Sequence, residues 1–354
     1  MSARAFFARH WFLAGMAIAI AMGVLAPAGG RVLREAGWVM PALVAATLLV
    51  SGFTLDTSRL ATQAGNVRAI IVALSSTYLI APVAAYGLAR VFGPSPGGPD
   101  SDGARFLEAT MIAAAQAGTL ASALALTAVA RGDQELALVL TVLSNALTAL
   151  LTPLALELSI GRQVEFPLAE MMARMALVVL LPVVAGQFLR RVLWSHTRRA
   201  MPVVRVVPRA IILAFLYSGF SAAASRLGDA PLVALAFLGA AASLHLVLLA
   251  FTSGVSAWLG FDVRTRAAVV LCGSQKTLPN GIYLWEQYFA ANPWGAVPLV
   301  LYHVLQLLVD SLLAPWLGRR RDADDADDAD DGDDGDEDAN DEDSARRARA
   351  RRGT

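Results

Sequence analysis

The sequence predicts an all-α membrane protein with ten transmembrane helices, and three observations carry that prediction. Of the 354 residues, 56% are hydrophobic and the mean hydropathy is +0.54, more apolar than a water-soluble globule sustains. Most charges within residues 1–321 sit in short clusters between apolar runs of about 20 residues, the length that crosses a ~30 Å hydrocarbon core. The net charge of zero hides two unlike parts: residues 322–354 hold 15 acids and 5 Arg, whereas the body before them holds 24 bases and 14 acids.

In chain order the apolar runs occupy residues 11–27, 36–55, 67–91, 106–130, 134–158, 167–189, 207–225, 231–259, 265–289 and 295–317. Turn-forming sequences separate them: Gly29-Gly30, Gly93-Pro-Ser-Pro-Gly-Gly-Pro99, Arg131-Gly-Asp133, Gly228-Asp-Ala-Pro231 and Asn292-Pro293. The first run, preceded by Arg4, Arg9 and His10 and ending Leu25-Ala-Pro-Ala28, also fits a cleaved signal peptide. Charge distribution argues for an uncleaved span. With ten crossings, the amino end, the even-numbered loops and the carboxyl end as far as Arg321 collect 16 Arg against 7 on the other side, and basic residues accumulate on the cytoplasmic side, so both termini are expected there. Residues 1–10 form the amino-terminal segment of that plan, 11–318 the membrane domain and 319–354 an acidic then Arg-rich tail. The tail has no apolar face to bury and is expected to be disordered.

The two halves, 11–158 and 167–317, each contain five runs. An odd number makes the second half enter the membrane in the opposite sense, giving an inverted repeat if the halves share a fold. Polar interruptions fall in the fourth run of each half, at Gln116-Ala-Gly-Thr119 and Gln275-Lys-Thr277. The fifth runs each end near a proline, Pro153 and Pro315. Interruptions at matching places point to a transporter's binding site, because unwound backbone is tolerated at membrane depth only where protein or water satisfies it.

Several chemistries are excluded. The single cysteine, Cys272, permits no intrachain disulfide or Cys-based metal site, and His10, His196, His245 and His303 lie far apart without metal-ligand spacing. Gly273-Ser-Gln-Lys276-Thr277 lacks the glycines of a phosphate-binding loop. No nucleophile–base pair is visible, and neither an enzyme nor a cofactor is expected.

Lys276 is the most informative residue, the one Lys against 28 Arg, and it lies mid-span. An ammonium at the bilayer centre costs about 2.5–3.5 kcal/mol and has to be buried in protein and paired, either at a binding site or as a staple between helices. Pro279 and Gly281 predict a break or kink beside it. Gln275, Thr277, Asn280, Gln116 and His303 join Lys276 as candidate substrate-binding groups. Thr119, Ser122, Thr141, Asn145 and Ser274 supply oxygens suited to a hard cation such as Na⁺, with interhelical hydrogen bonding as the alternative. His303, Gln306 and Asp310 form a stripe at i, i+3 and i+7; Asp310 either neutralises Lys276, carries a proton, or pairs with Arg319. His245 reads as an ordinary hydrogen-bonding partner.

Ser51-Gly-Phe-Thr-Leu55, Leu143-Ser-Asn-Ala-Leu147 with Thr152-Pro153, Gly273-Ser-Gln-Lys-Thr277, and His303 with Gln306-Leu307 together resemble the bacterial branch of the bile acid:sodium symporter family over about residues 11–318. The resemblance implies two inverted five-helix repeats, divided into core and panel domains, with the fourth and ninth helices discontinuous and crossing. It also implies Na⁺ sites at the crossover. The family's ninth-helix Glu is missing from Leu271-Cys-Gly-Ser-Gln-Lys276, and Lys276 falls about where a family Gln stands. A fixed ammonium there would replace one bound cation. Function is therefore expected to be secondary transport of a small organic anion with Na⁺ or H⁺, the alternatives being a passive channel or a non-transporting regulator.

An alkaline phosphatase reporter fused after Arg321 is expected to be inactive, and one inserted at residues 93–99 active; the opposite pattern rejects this orientation.

Overall fold

The computed structural model describes residues 3–54, 65–95, 97–98, 101–161, 167–197, 200–204 and 206–319, so the expectation for the tail lies outside the described residues. Their regular structure is helical throughout. α1 (Ala3–Leu25) turns by 90° into the short α2 (Pro27–Glu35), which starts on a proline, where the missing N–H costs nothing. α3 spans Val39–Thr54, and α4 spans Val67–Phe92 with a single π turn at Ser76–Ile80. The fourth apolar run is two helices, α5 (Asp102–Ala114) and α6 (Ala121–Val129). α7 (Gln134–Ile160) follows, capped by Asp133, whose Oδ1 accepts from the Leu136 N–H at 2.9 Å.

In the second half, α8 (Leu168–Trp194) also carries a π turn, at Ala176–Leu180. A single turn, α9 (Met201–Val204), leads to α10 (Val207–Asp229) and α11 (Pro231–Trp258). The ninth apolar run is again two helices, α12 (Val263–Ser274) and α13 (Leu278–Tyr288), and α14 spans Ala296–Arg319. Asp262 caps α12. Partial burial pushes its carboxyl up, but hydrogen bonds from Thr265 and Arg264 outweigh that and hold it below the usual carboxylate range.

Among the described residues, α4, α7, α8, α10, α11 and α14 are each long and apolar enough to cross a bilayer, and α1 with α2 forms a seventh candidate. Pro153 and Pro315 lie inside helices that run on to Ile160 and Arg319, close to the ends at 158 and 317 read from hydropathy. Neighbouring groups in a membrane bundle re-satisfy the backbone a proline frees, so such a proline need not stop the helix.

α3 lies along α8 and α1 along α10, α4, α7 and α11 pack against α12, and α7 also packs along α8. The α3–α8 contact is backbone to backbone: a Cβ on Gly186 would lie 2.2 Å from the Leu49 carbonyl oxygen, and one on Gly52 2.4 Å from that of Val183. Arg34 ties α2 onto α10 by donating to the Ser218 carbonyl at 2.6 Å and to Ser221 Oγ at 3.1 Å. α13 touches both α3 and α10, beside the broken helices.

Gly186→Val is expected to destabilise the purified protein by about 1–3 kcal/mol through overpacking, read as a lower thermal-unfolding midpoint. Gly254→Ala, where an added Cβ meets nothing within 4 Å, should leave or raise it.

Candidate functional site

Two helices stop inside the bundle, and their loose ends meet. Between α5 and α6 the chain passes through Gly118, where a Cβ would sit 2.9 Å from the Cys272 carbonyl oxygen, so glycine is what lets the two interruptions touch. α12 stops at Ser274, and Gln275 and Thr277 are extended. The break expected beside Lys276 falls at residues 275–277, and Pro279 lies in the first turn of α13, a position that needs no N–H partner, so the proline starts the second half-helix.

Helix ends leave carbonyls without partners, and lipid offers none. The carbonyls just past the end of α5 draw donors from elsewhere in the chain. Ala115 accepts from Thr152 Oγ1 at 2.6 Å, Gln116 from Lys276 Nζ at 3.2 Å, Ala117 from the Thr277 N–H at 2.8 Å and Gly118 from Asn145 Nδ2 at 2.9 Å. The second interruption is served likewise. Gly273 accepts from Ser76 Oγ at 2.9 Å, Ser274 from the Tyr302 hydroxyl at 2.7 Å and Lys276 from Gln306 Nε2 at 2.8 Å, while Gln306 Oε1 takes the Lys276 N–H at 2.7 Å.

Lys276 is 3% exposed and its ammonium donates to Thr77 O at 2.9 Å as well as Gln116 O. The Thr77 carbonyl lies in the π turn of α4, where the local bonding pattern is displaced from i→i+4. The ammonium thus sits among carbonyl oxygens as a bound cation would. Two expectations are corrected. Lys276 Nζ is turned onto these carbonyls and not toward the neighbouring cavity, because unpaired carbonyls at the negative end of α5 compete for it. Asp310 pairs with neither Lys276 nor Arg319; its Oδ1 lies 3.0 Å from His245 Nε2 and its Oδ2 accepts from Gln275 Nε2 at 2.7 Å. Spacing along α14 could not reveal this, since the partner comes from α11.

Of the expected cation ligands, Thr119 and Ser122 converge on Gln275 Oε1 and on each other. Asn145 lies beside them through Gly118. Thr141 and Ser274 turn their hydroxyl hydrogens to their own helices, onto Ala137 O and Val270 O, each at 2.8 Å.

A cavity of about 30 Å³ lies where the interruptions meet α3 and α10, walled by Thr119, Asn145, Thr277, Asn280 and His303 among others. Two buried donors there lack partners: Asn280 Nδ2 and His303 Nε2. The His303 tautomer follows from its neighbours. Gln306 Oε1 must accept from the Lys276 N–H, so Gln306 Nε2 is the donor 3.0 Å from His303 Nδ1, and the ring hydrogen is left on Nε2. The amino ends of α6 and α13 border the same cavity and add partial positive charge. Gln116 contributes its backbone carbonyl; its side-chain Oε1 is buried without a partner. A larger cleft of about 560 Å³, walled by Ser51, Leu120, Ala121, Pro208, Arg190 and Arg209 among others, shares the first four of these residues with the small cavity.

Residue type and spacing left Thr77, Tyr302 and His245 out of the site, because a carbonyl inside a π turn and a contact between α11 and α14 have no local signature. Among the described residues, no three His, Cys, Asp or Glu side chains gather to hold a metal ion.

Comparison with known proteins gives the same class. The chain is 35% identical over 210 residues to the uncharacterized protein PA2026 of Pseudomonas aeruginosa, a match covering 58% of this chain and 63% of that protein. It is 25% identical to sodium/bile acid cotransporter 7 of Xenopus tropicalis, over 89% of this chain and 94% of the relative, and 25% identical to the mouse protein of that name, over 87% and 92%. The frog and mouse relatives are named as transporters, not enzymes. The model of the SBF-like CPA transporter family matches residues 10–319, and the chain, a multi-pass membrane protein, belongs to that family.

Proposed function

We propose that the protein is a secondary transporter of the cytoplasmic membrane that carries a small organic anion by alternating access, coupled to a Na⁺ or H⁺ gradient. The observation that carries this reading is the cavity at the meeting of the two interruptions, where Asn280 Nδ2 and His303 Nε2–H are buried without acceptors and two helix amino ends converge. Buried donors without acceptors are costly in a finished fold, and an anion supplies what they lack. The names of the cotransporter relatives support a sodium-coupled, bile-acid-like carrier as the starting hypothesis.

In this reading α5 with α6 and α12 with α13 are each one broken crossing, and α1 and α3 add two more to the six long helices. That makes ten crossings in two inverted sets of five, with α1, α3, α8 and α10 as the panel and the rest as the core. The 560 Å³ cleft between the groups, bordered by Arg190 and Arg209, is then the path from the cytoplasm. Lys276 takes the part of a permanently bound cation. Its ammonium occupies the carbonyls of Gln116, just past α5, and of Thr77 in α4, so that the amino ends of α6 and α13 are left to face the anion.

Purified protein in lipid vesicles tests this with a panel of labelled anions that includes taurocholate and short mono- and dicarboxylates. Lys276→Ala is expected to abolish uptake while the protein stays folded and monodisperse; full uptake by that variant would refute the role. His303→Ala and Asn280→Ala each remove one hydrogen bond to a charged group, about 1.5–3 kcal/mol, so the transported anion should bind roughly tenfold to a hundredfold more weakly. Unchanged half-saturation in both would move the anion site elsewhere.

A further inference from the structure

We propose that the buried His245–Asp310 pair is a proton-binding site that loads one proton with each transported anion. The inference rests on the carrier reading above and names its coupling ion. His245 and Asp310 are both fully buried, on α11 and α14, with Nε2 and Oδ1 3.0 Å apart. His245 Nδ1 faces the Tyr302 hydroxyl at 3.3 Å, and that hydroxyl spends its single hydrogen on Ser274 O at 2.7 Å. With neutral His245 donating from Nε2 to the carboxylate, Nδ1 presents a lone pair to the lone pairs of Tyr302 Oη. A proton arriving from water at Nδ1 turns that opposed contact into a hydrogen bond. Both N–H groups of the imidazolium then have an acceptor already in place, Asp310 Oδ1 and Tyr302 Oη.

The pair reaches the candidate site through one side chain. Gln275 donates from Nε2 to Asp310 Oδ2, and its Oε1 gathers the Thr119 and Ser122 hydroxyls beside the cavity. The other titratable groups facing the pair are Tyr302 of α14 and Cys272 of α12, on both of which the Asp310 charge acts. Lys276 is turned onto Thr77 and Gln116, and Tyr78 of α4 donates to Ser144 O.

Charge decides the stoichiometry. The Lys276 ammonium and the Asp310 carboxylate cancel when the site is empty. A monoanion alone would leave one net negative charge in the membrane interior, where unbalanced charge is costly, and one proton on His245 restores the balance.

Two measurements test this. In purified protein labelled with ¹⁵N-histidine, the resonance lost in His245→Gln is expected to report gain of one proton at Nδ1 as the medium is acidified. Asp310→Asn should weaken that proton affinity by about tenfold or more, because a carboxylate at contact distance favours the imidazolium. A His245 signal that stays in one protonation state overturns the proposal. In vesicles, an inward proton gradient without Na⁺ should drive accumulation of the panel anion that wild type transports, and His245→Gln and Asp310→Asn should lose that accumulation. Accumulation driven by Na⁺ alone overturns the proposal while leaving the carrier reading intact. Absence of any uptake by wild type sinks the carrier reading, and the NMR titration still decides whether the pair binds a proton.

Discussion

Interrupting a helix inside a bilayer exposes carbonyls that lipid cannot hydrogen-bond, and this constraint organises the rest of the molecule. Where α5 and α12 stop, the carbonyls of Ala115, Gln116, Ala117, Gly118, Gly273, Ser274 and Lys276 all require donors, and each receives one from a different part of the chain. The donors come from α4, α7, α14 and the opposite interruption. The two breaks therefore stabilise each other, and neither half of the chain could hold its own open alone. Gly118 lets them meet; a side chain there would press on the Cys272 carbonyl.

The same economy separates charge. The Lys276 ammonium lies on the carbonyls of Gln116, just past α5, and of Thr77 in α4, while the amino ends of α6 and α13 look onto the cavity with the unpartnered donors of Asn280 and His303. A single lysine thus ties the first interruption to α4. The π turn in α4 belongs to this arrangement, because it presents the Thr77 carbonyl to the ammonium.

A second buried network, from His245 and Tyr302 through Asp310 and Gln275 to Thr119 and Ser122, adjoins the first. It joins α11 and α14 to both interruptions. The Gln275 amide is its narrow point, since it alone contacts the carboxylate on one side and the crossover hydroxyls on the other. Movement of α14 relative to the broken helices would therefore be felt at the cavity, and a change of charge on the pair would be felt there too.

The apolar runs, their lengths and the isolated lysine were legible in the sequence because hydropathy and membrane insertion depend on composition over a window of about 20 residues, not on partners. The interruptions at Gln116–Thr119 and Gln275–Thr277 were legible for a related reason: polar residues and glycine in an apolar run are costly unless something offsets them. What offsets them was not written locally. That Lys276 turns to carbonyls and not to the cavity, and that Asp310 meets His245 and not Lys276 or Arg319, both depend on which groups the folded bundle brings within about 3 Å. Hydrogen bonds between residues as far apart in sequence as Thr77 and Lys276 leave no periodicity in either segment, so only the tertiary structure could decide them.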